Sequence, residues 1–172
     1  MYKRRRLAQP ALPSAPETAN DAVLSSRHAL LNGRAFYRGP AYADETQSAL
    51  IFANDQQLTT LKEAQHVYFD ATFKVVPAIY YQLFSVFAPF ADTAFPVFYA
   101  LMTRKTQAAY RAVFAKMHDL VPDFKPLSAM ADYEEASVCR IRISYCGRYS
   151  SLTVGTAGGS FCFLKFFRFL HS

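Results

Sequence analysis

Residues 66–73, HVYFDATF, set Val67, Phe69, Ala71 and Phe73 at alternate positions, with Tyr68, Asp70 and Thr72 between them. Successive side chains of an extended chain point to opposite faces, so this pattern predicts a strand with one apolar face. Two aromatic and β-branched runs follow, IYYQLFSVF at 79–87 and FPVFYALM at 95–102. Both are apolar at odd and even positions, which predicts strands covered on both sides. Pro89 and Asp92 fall in a link short enough for a hairpin or meander. Residues 106–121 carry the clearest helical period: Tyr110, Val113, Phe114, Met117 and Val121 share one face, and Pro122 stops the helix. Residues 127–131 are a fourth strand, and residues 132–136 open a second helix. The order β-β-β-α-β-α predicts an α/β domain, a mixed sheet with helices packed on it.

The flanks differ from this segment. Residues 1–22 hold the basic cluster Lys3-Arg4-Arg5-Arg6 and then Pro10, Pro13 and Pro16 among Ala, Ser and Thr, which predicts a flexible leader. Residues 23–64 form a mixed flanking region. Gly33, Gly39 and Pro40 punctuate it, residues 48–53 are a short apolar run, and a short helix is expected over residues 55–64. After Ser137 the composition changes again. The last 36 residues hold no Asp, Glu or Pro and carry Cys139, Cys146 and Cys162, and residues 161–170 contain five Phe. That tail is expected to stay outside the regular domain.

Charge follows the same division. The 172 residues carry 19 Lys and Arg against 13 Asp and Glu, a net +6. Residues 65–136 carry 6 basic and 7 acidic groups, so the excess lies in the flanks. A domain with its own phosphate-binding face is expected to be basic, and this segment is not. Three cysteines without a CxxC spacing give no disulfide framework and no zinc motif, which suits a reducing compartment, nuclear or cytoplasmic. No apolar run reaches the roughly 18 residues of a membrane span, and no apolar core follows the basic cluster as a signal peptide requires. No membrane partner is expected.

Two carboxylates stand out. Asp70 sits in an apolar strand, where burial would cost several kcal/mol unless the group is paired or metal-bound; otherwise it marks the strand's end and faces solvent. Asp132 ends a strand and opens a helix with Glu135 three residues on, which also fits an N-terminal capping box. If the first and fourth strands are neighbours, they lie about 4.8 Å apart. Two aspartates at matching heights would then share one or two divalent metals.

Residues 66–110, HVYFDATFKVVPAIYYQLFSVFAPFADTAFPVFYALMTRKTQAAY, resemble the opening of the Mutator-like-element (MULE) transposase domain. That family has an Asp-x-Thr-Phe-Lys strand, a "QL" strand, a "PVVYALL" strand and a "KTxxxY" helix in this order. Residues 129–136, AMADYEEA, are similar to its second acidic motif, and the resemblance spans about residues 50–136. It implies a ribonuclease H-like fold, here a partial one over residues 65–136, and metal-dependent DNA strand cleavage and transfer by three acids (DDE). Asp70 corresponds to the first acid and Asp132 to the second, as catalytic and metal-holding residues for Mg2+ or Mn2+. The implied partners are DNA and a second copy in a homo-oligomer.

The sequence also departs from the family. Members continue well beyond the second Asp, with a Cys-x-x-His pair and a third acid on a later helix, whereas no Asp or Glu follows Glu135 here. The expectation is a truncated, catalytically incomplete transposase domain. Its rivals are a domesticated, non-catalytic DNA- or protein-binding module and a nuclease that borrows its third acid from another subunit. Lys74, Arg104 and Lys105 stand at strand ends as candidate phosphate contacts, with a solvated rim as the plainer reading. His28, His66, His118 and His171 have no partner at metal-ligand spacing and read as ordinary surface or satisfied histidines.

Overall fold

The computed structural model describes residues 29–46, 48–73, 76–90, 93–132, 151–157 and 161–167. The described residues open with a small hairpin, β1 (Leu30–Leu31) and β2 (Arg34–Ala35). Asn32 (φ 51°) and Gly33 (φ 76°) form its turn. An Asn-Gly pair with both φ positive is the two-residue turn whose twist suits paired strands.

Eight strands make the main sheet: β3 (Tyr37–Tyr42), β4 (Ser48–Phe52), β5 (His66–Thr72), β6 (Gln82–Phe90), β7 (Thr93–Met102), β8 (Ser128–Asp132), β9 (Ser151–Ala157) and β10 (Phe161–Phe167). Helix α1 spans Asp55–Glu63 and α2 spans Gln107–Leu120. Across the sheet the order is β3-β4-β7-β6-β5-β8-β10-β9. Among the described residues β5 and β8 are the one parallel pair of neighbours, and the other neighbouring pairs in the sheet are antiparallel. The expected mixed sheet with helices is what forms, and the order β-β-β-α-β is seen from β5 to β8. The helix expected after Asp132 lies outside the described residues, as does the 1–22 leader.

Both helices start at side-chain caps. Asn54 accepts from the Gln57 backbone N–H at 2.8 Å while the Gln57 side chain accepts from the Asn54 N–H, a reciprocal capping box for α1. The Thr106 hydroxyl accepts from the Ala109 N–H at 3.2 Å to start α2. The periodic face of α2 enters the core as its spacing predicts: Tyr110, Val113, Phe114 and Met117 are buried there with Val67, Phe69, Phe84, Val86 and Phe98. Leu61 of α1 joins the same cluster.

Three expectations need correction. The second strand starts at Gln82 rather than 79, because residues 77–80 turn first, with the Tyr80 N–H donating to the Pro77 carbonyl at 2.9 Å. Pro89 consequently lies inside β6, opposite Ala94, and not in the link. The β6 and β7 strands are fully covered on one face and only partly on the other. One face is core, whereas Leu83, Phe87, Tyr99 and Leu101 on the other are only half-buried. The third correction concerns the tail: β10 pairs antiparallel with β8, and β9 pairs with β10, so residues 151–157 and 161–167 extend the sheet. Without β10, β8 would present an edge of unpaired N–H and C=O groups, and the Phe-rich segment has high strand propensity.

Toward the β3 side of the sheet, prolines fall where the ladder tolerates them. Pro40 lies on the edge strand β3, and Pro96 lies at a register shift between β6 and β7. Phe36, Tyr37, Phe52 and Tyr99 cluster there, with ring centroids 5.4–6.0 Å apart. Burial pushes the Tyr37 and Tyr99 phenols above their ordinary value.

A buried polar contact ties α2 to the sheet. Gln82 and Tyr110 are both fully buried, and the Gln82 Nε2 donates to the Tyr110 Oη at 2.8 Å. Without the Tyr110 hydroxyl, Gln82 Nε2 is left with the weak Met102 Sδ acceptor at 3.2 Å, whereas removing both groups leaves no such deficit. Tyr110→Phe is therefore expected to lower stability by about 1–3 kcal/mol. Adding Gln82→Leu should recover much of that loss. Urea unfolding of the two single variants and the double variant measures the coupling.

Candidate functional site

The C-terminal ends of β3, β5, β7 and β8 all lie at one end of the sheet, a consequence of the alternating strand directions and the parallel β5–β8 pair. Ligands of open α/β sheets gather at such ends, where side chains and loops from several strands converge. The sequence-derived candidates Asp70, Asp132, Arg104 and Lys105 are all brought to this end. Lys74 lies outside the described residues.

Register decides how the two acids meet. His66 pairs with Ser128, Val67 with Ala129, Tyr68 with Met130 and Phe69 with Ala131. Every pair is offset by the same number of positions, and Asp70 and Asp132 share that offset. Asp132 is therefore level with Asp70 on the neighbouring strand, about 4.8 Å away between backbones. On its other side Asp132 pairs with Phe161 of β10.

Asp70 is exposed, two residues before the end of β5, so burial does not force it to find a partner. Its Oδ2 accepts from the Thr72 hydroxyl at 3.3 Å, and its cross-strand neighbour is the buried Ser85. Among the described residues no group of three or more His, Cys, Asp or Glu is placed to hold a metal. The exposed Asp70 carboxylate is an oxygen donor of the kind that magnesium and manganese favour.

The same strand pair is clamped at its other end. His66 Nδ1 and the buried Ser128 Oγ lie 2.6 Å apart. The backbone N–H groups of Leu127 and Ser128 donate to the Gln65 carbonyl, at 2.7 and 3.2 Å. His66 is thus a hydrogen-bonded histidine that helps hold β8 against β5.

Arg104 is exposed just beyond β7, and Lys105 follows it. Lys105 lies over the Phe73 ring, with its Nζ 5.4 Å from the centroid. Phe73 meets Tyr81 edge to face at 5.7 Å, and both rings are largely exposed, at 41% and 50%. Sequence alternation puts Phe73 with Val67 and Phe69 on the core face, but β5 ends at Thr72 and the ring escapes the core. A groove of about 460 Å³ at the same end is lined by Tyr42, Gln107, Ala108, Arg111, Ala112 and Ala115, among others. Three strands separate β3 from β5, roughly 19 Å between the outer two, so that groove is not part of the acid pair's surroundings.

Among the described residues no helix is long and apolar enough to cross a membrane. No protein-family model, curated protein or solved structure matches the chain.

Two aspartates level with each other on neighbouring strands are expected to bind Mn2+ weakly, because most of the coordination sphere must remain water. Proton-relaxation titration with Mn2+ should show this binding in the full chain and a loss of about ten-fold or more in Asp70→Asn and in Asp132→Asn. Equal affinity in all three proteins would remove the acid pair as a metal site.

Proposed function

We propose that this chain carries the first two acids of a DDE-type MULE transposase core, on a partial ribonuclease H-like fold, and that it is catalytically incomplete by itself. The observation that carries this reading is the parallel β5–β8 pairing, whose register sets Asp70 level with Asp132. The reading requires its first and fourth strands to be neighbours, and a sequence with the same motifs on opposite sheet edges would not support it. The β5-β6-β7-α2-β8 order adds to that support.

In such a site Asp70 and Asp132 would jointly hold the cation and orient it toward a phosphodiester from the open end of the strands. When bound, Mg2+ or Mn2+ would stabilise the entering and departing oxygens of strand cleavage. Arg104 and Lys105 at the rim would hold the DNA backbone in register without reading sequence. Residues 136–172 contain no Asp or Glu that could serve as the third carboxylate. Phosphodiester cleavage needs both oxygens positioned, and two carboxylates anchor the metals poorly for that task.

One observation favours a second reading, a non-catalytic module that binds DNA or protein and retains the sheet for its shape. Residues 65–136 are slightly acidic, so nothing in their net charge draws a phosphate backbone to the domain. Nuclear or cytoplasmic residence fits both readings.

Anisotropy of a labelled hairpin DNA, followed by gel analysis for products, separates them. The transposase reading expects Mn2+ to strengthen DNA binding several-fold in the native chain, no such effect in Asp70→Asn or Asp132→Asn, and no cleaved product. Binding that ignores both metal and substitutions would favour the module. Cleavage abolished by either Asp70→Ala or Asp132→Ala would overturn the inactive reading and place the third acid on a second copy.

A further inference from the structure

At the end of the sheet that carries Asp70, three connections converge on one small surface. Phe73 follows β5 directly, Tyr81 precedes β6 directly, and Lys105 follows β7 on the way into α2. The Tyr81 N–H donates to the Met102 carbonyl at 2.8 Å, which fixes the start of β6 against the end of β7. The two rings then meet edge to face at 5.7 Å, with the Lys105 ammonium 5.4 Å from the Phe73 centroid. Exposed apolar side chains are common, and Phe90 and Phe95 form another exposed ring pair. Phe73 and Tyr81, exposed by 41% and 50%, differ in having a cation over one ring. Here they are held in place by a cation and by each other.

From this arrangement we infer that Phe73 and Tyr81 form a stacking platform for an unpaired nucleotide base, with Lys105 and the exposed Arg104 beside it for the flanking phosphates. The inference deepens the proposed transposase reading, since it names the form of nucleic acid this end of the sheet would take. The occupant follows from chemistry. Aromatic faces beside cations suit a flat π-system linked to phosphate, and every base offers such a face. Inside a duplex those faces are covered by neighbouring base pairs, so the ligand must be single-stranded, frayed or flipped out. A hydrophobic protein partner would have no use for the cations.

The distance to the acids is of the right order. Phe73 lies three residues beyond Asp70 along the strand direction, about 10 Å. An unpaired strand covers that span in a few nucleotides. A base held on the platform would thus leave a phosphate a few nucleotides away at the acid pair. The rings are also pre-ordered by their mutual contact and by Lys105, so binding loses little side-chain freedom.

The test exploits the absence of tryptophan from this sequence. Phe73→Trp introduces a single indole, whose fluorescence a stacked base would quench. The full chain is titrated with oligo-dT, with a blunt duplex of equal length and with the same duplex bearing a 3′ overhang. All titrations are run in EDTA, so the outcome does not depend on metal binding by Asp70 and Asp132. We expect quenching by oligo-dT and by the overhang but not by the blunt duplex. Phe73→Ala and Tyr81→Ala should each weaken oligo-dT binding by about 5- to 100-fold, while Tyr81→Phe retains it. Lys105→Gln should lower the salt slope of binding by about 0.7, as one lost phosphate contact predicts. Because both rings are exposed, the alanine variants should keep the native thermal midpoint, which serves as the folding control.

Equal quenching by blunt duplex and overhang, or oligo-dT affinity unchanged in Phe73→Ala and Tyr81→Ala, would overturn the inference. So would concentration-dependent dimerisation lost in those variants without any effect on oligo-dT, because the rings would then be a contact between copies. A chain that quenches but shows no metal-dependent DNA binding would keep the platform and remove the transposase reading.

Discussion

The parallel contact between β5 and β8 is the constraint on which the rest of the molecule depends. Antiparallel neighbours can be joined by a tight turn, but parallel ones require a crossover long enough to bring the chain back to the same end of the sheet. Helix α2 supplies it, and its position is set by packing. Phe114 stands edge-on to Phe69 at 5.7 Å, and Tyr110 stands edge-on to Phe84 at 5.4 Å. The Gln82–Tyr110 hydrogen bond fixes the helix against β6. With α2 in place, the His66–Ser128 contact and the backbone bonds to Gln65 fix the register of β8, and register alone decides that Asp132 is level with Asp70. A slip of one residue would move each side chain of β8 to the opposite face and separate the acids.

Much of this arrangement was legible in the sequence, and for identifiable reasons. Strand β5 alternates cleanly because one face is buried under α2 and the other is open, so the pattern of 66–73 reports its surroundings directly. Helix α2 combines a cap at Thr106, an apolar stripe and the stop at Pro122, three signals that agree. The Gln82 and Tyr110 of the "QL" and "KTxxxY" segments are one buried pair, which gives those residues a structural reason for their types. The adjacency of the acids could be anticipated only through the family resemblance, since nothing in the spacing of Asp70 and Asp132 encodes which strands are neighbours.

What the sequence concealed has equally physical causes. Strand β3 contains Gly39 and Pro40 and reads as a loop, yet an edge strand accommodates both, and Gly39 takes a positive φ of 92° at the register shift beside Tyr37. The run 79–87 was displaced by three residues because apolar content cannot distinguish the Pro77–Tyr80 turn from the strand that follows it. The tail was judged by composition and by its lack of a family counterpart, but strand pairing depends on backbone hydrogen bonding and β-propensity, which FCFLKFF supplies. The burial argument for Asp70 also proved the wrong one: its carboxylate faces solvent, and the case for a site rests on register alone.

The central claim is that residues 70 and 132 are side by side on neighbouring parallel strands. It is tested most directly by Asp70→Cys with Asp132→Cys, in a chain whose Cys139, Cys146 and Cys162 are changed to Ser. Backbones about 4.8 Å apart fall within the range of Cα separations, about 4.4–6.8 Å, that a disulfide spans. Mild oxidation should give an intramolecular disulfide in nearly every molecule, detected by mass and by loss of free thiol, with a native-like circular dichroism spectrum. A folded protein whose two thiols stay free, or that cross-links only between molecules, would contradict the account.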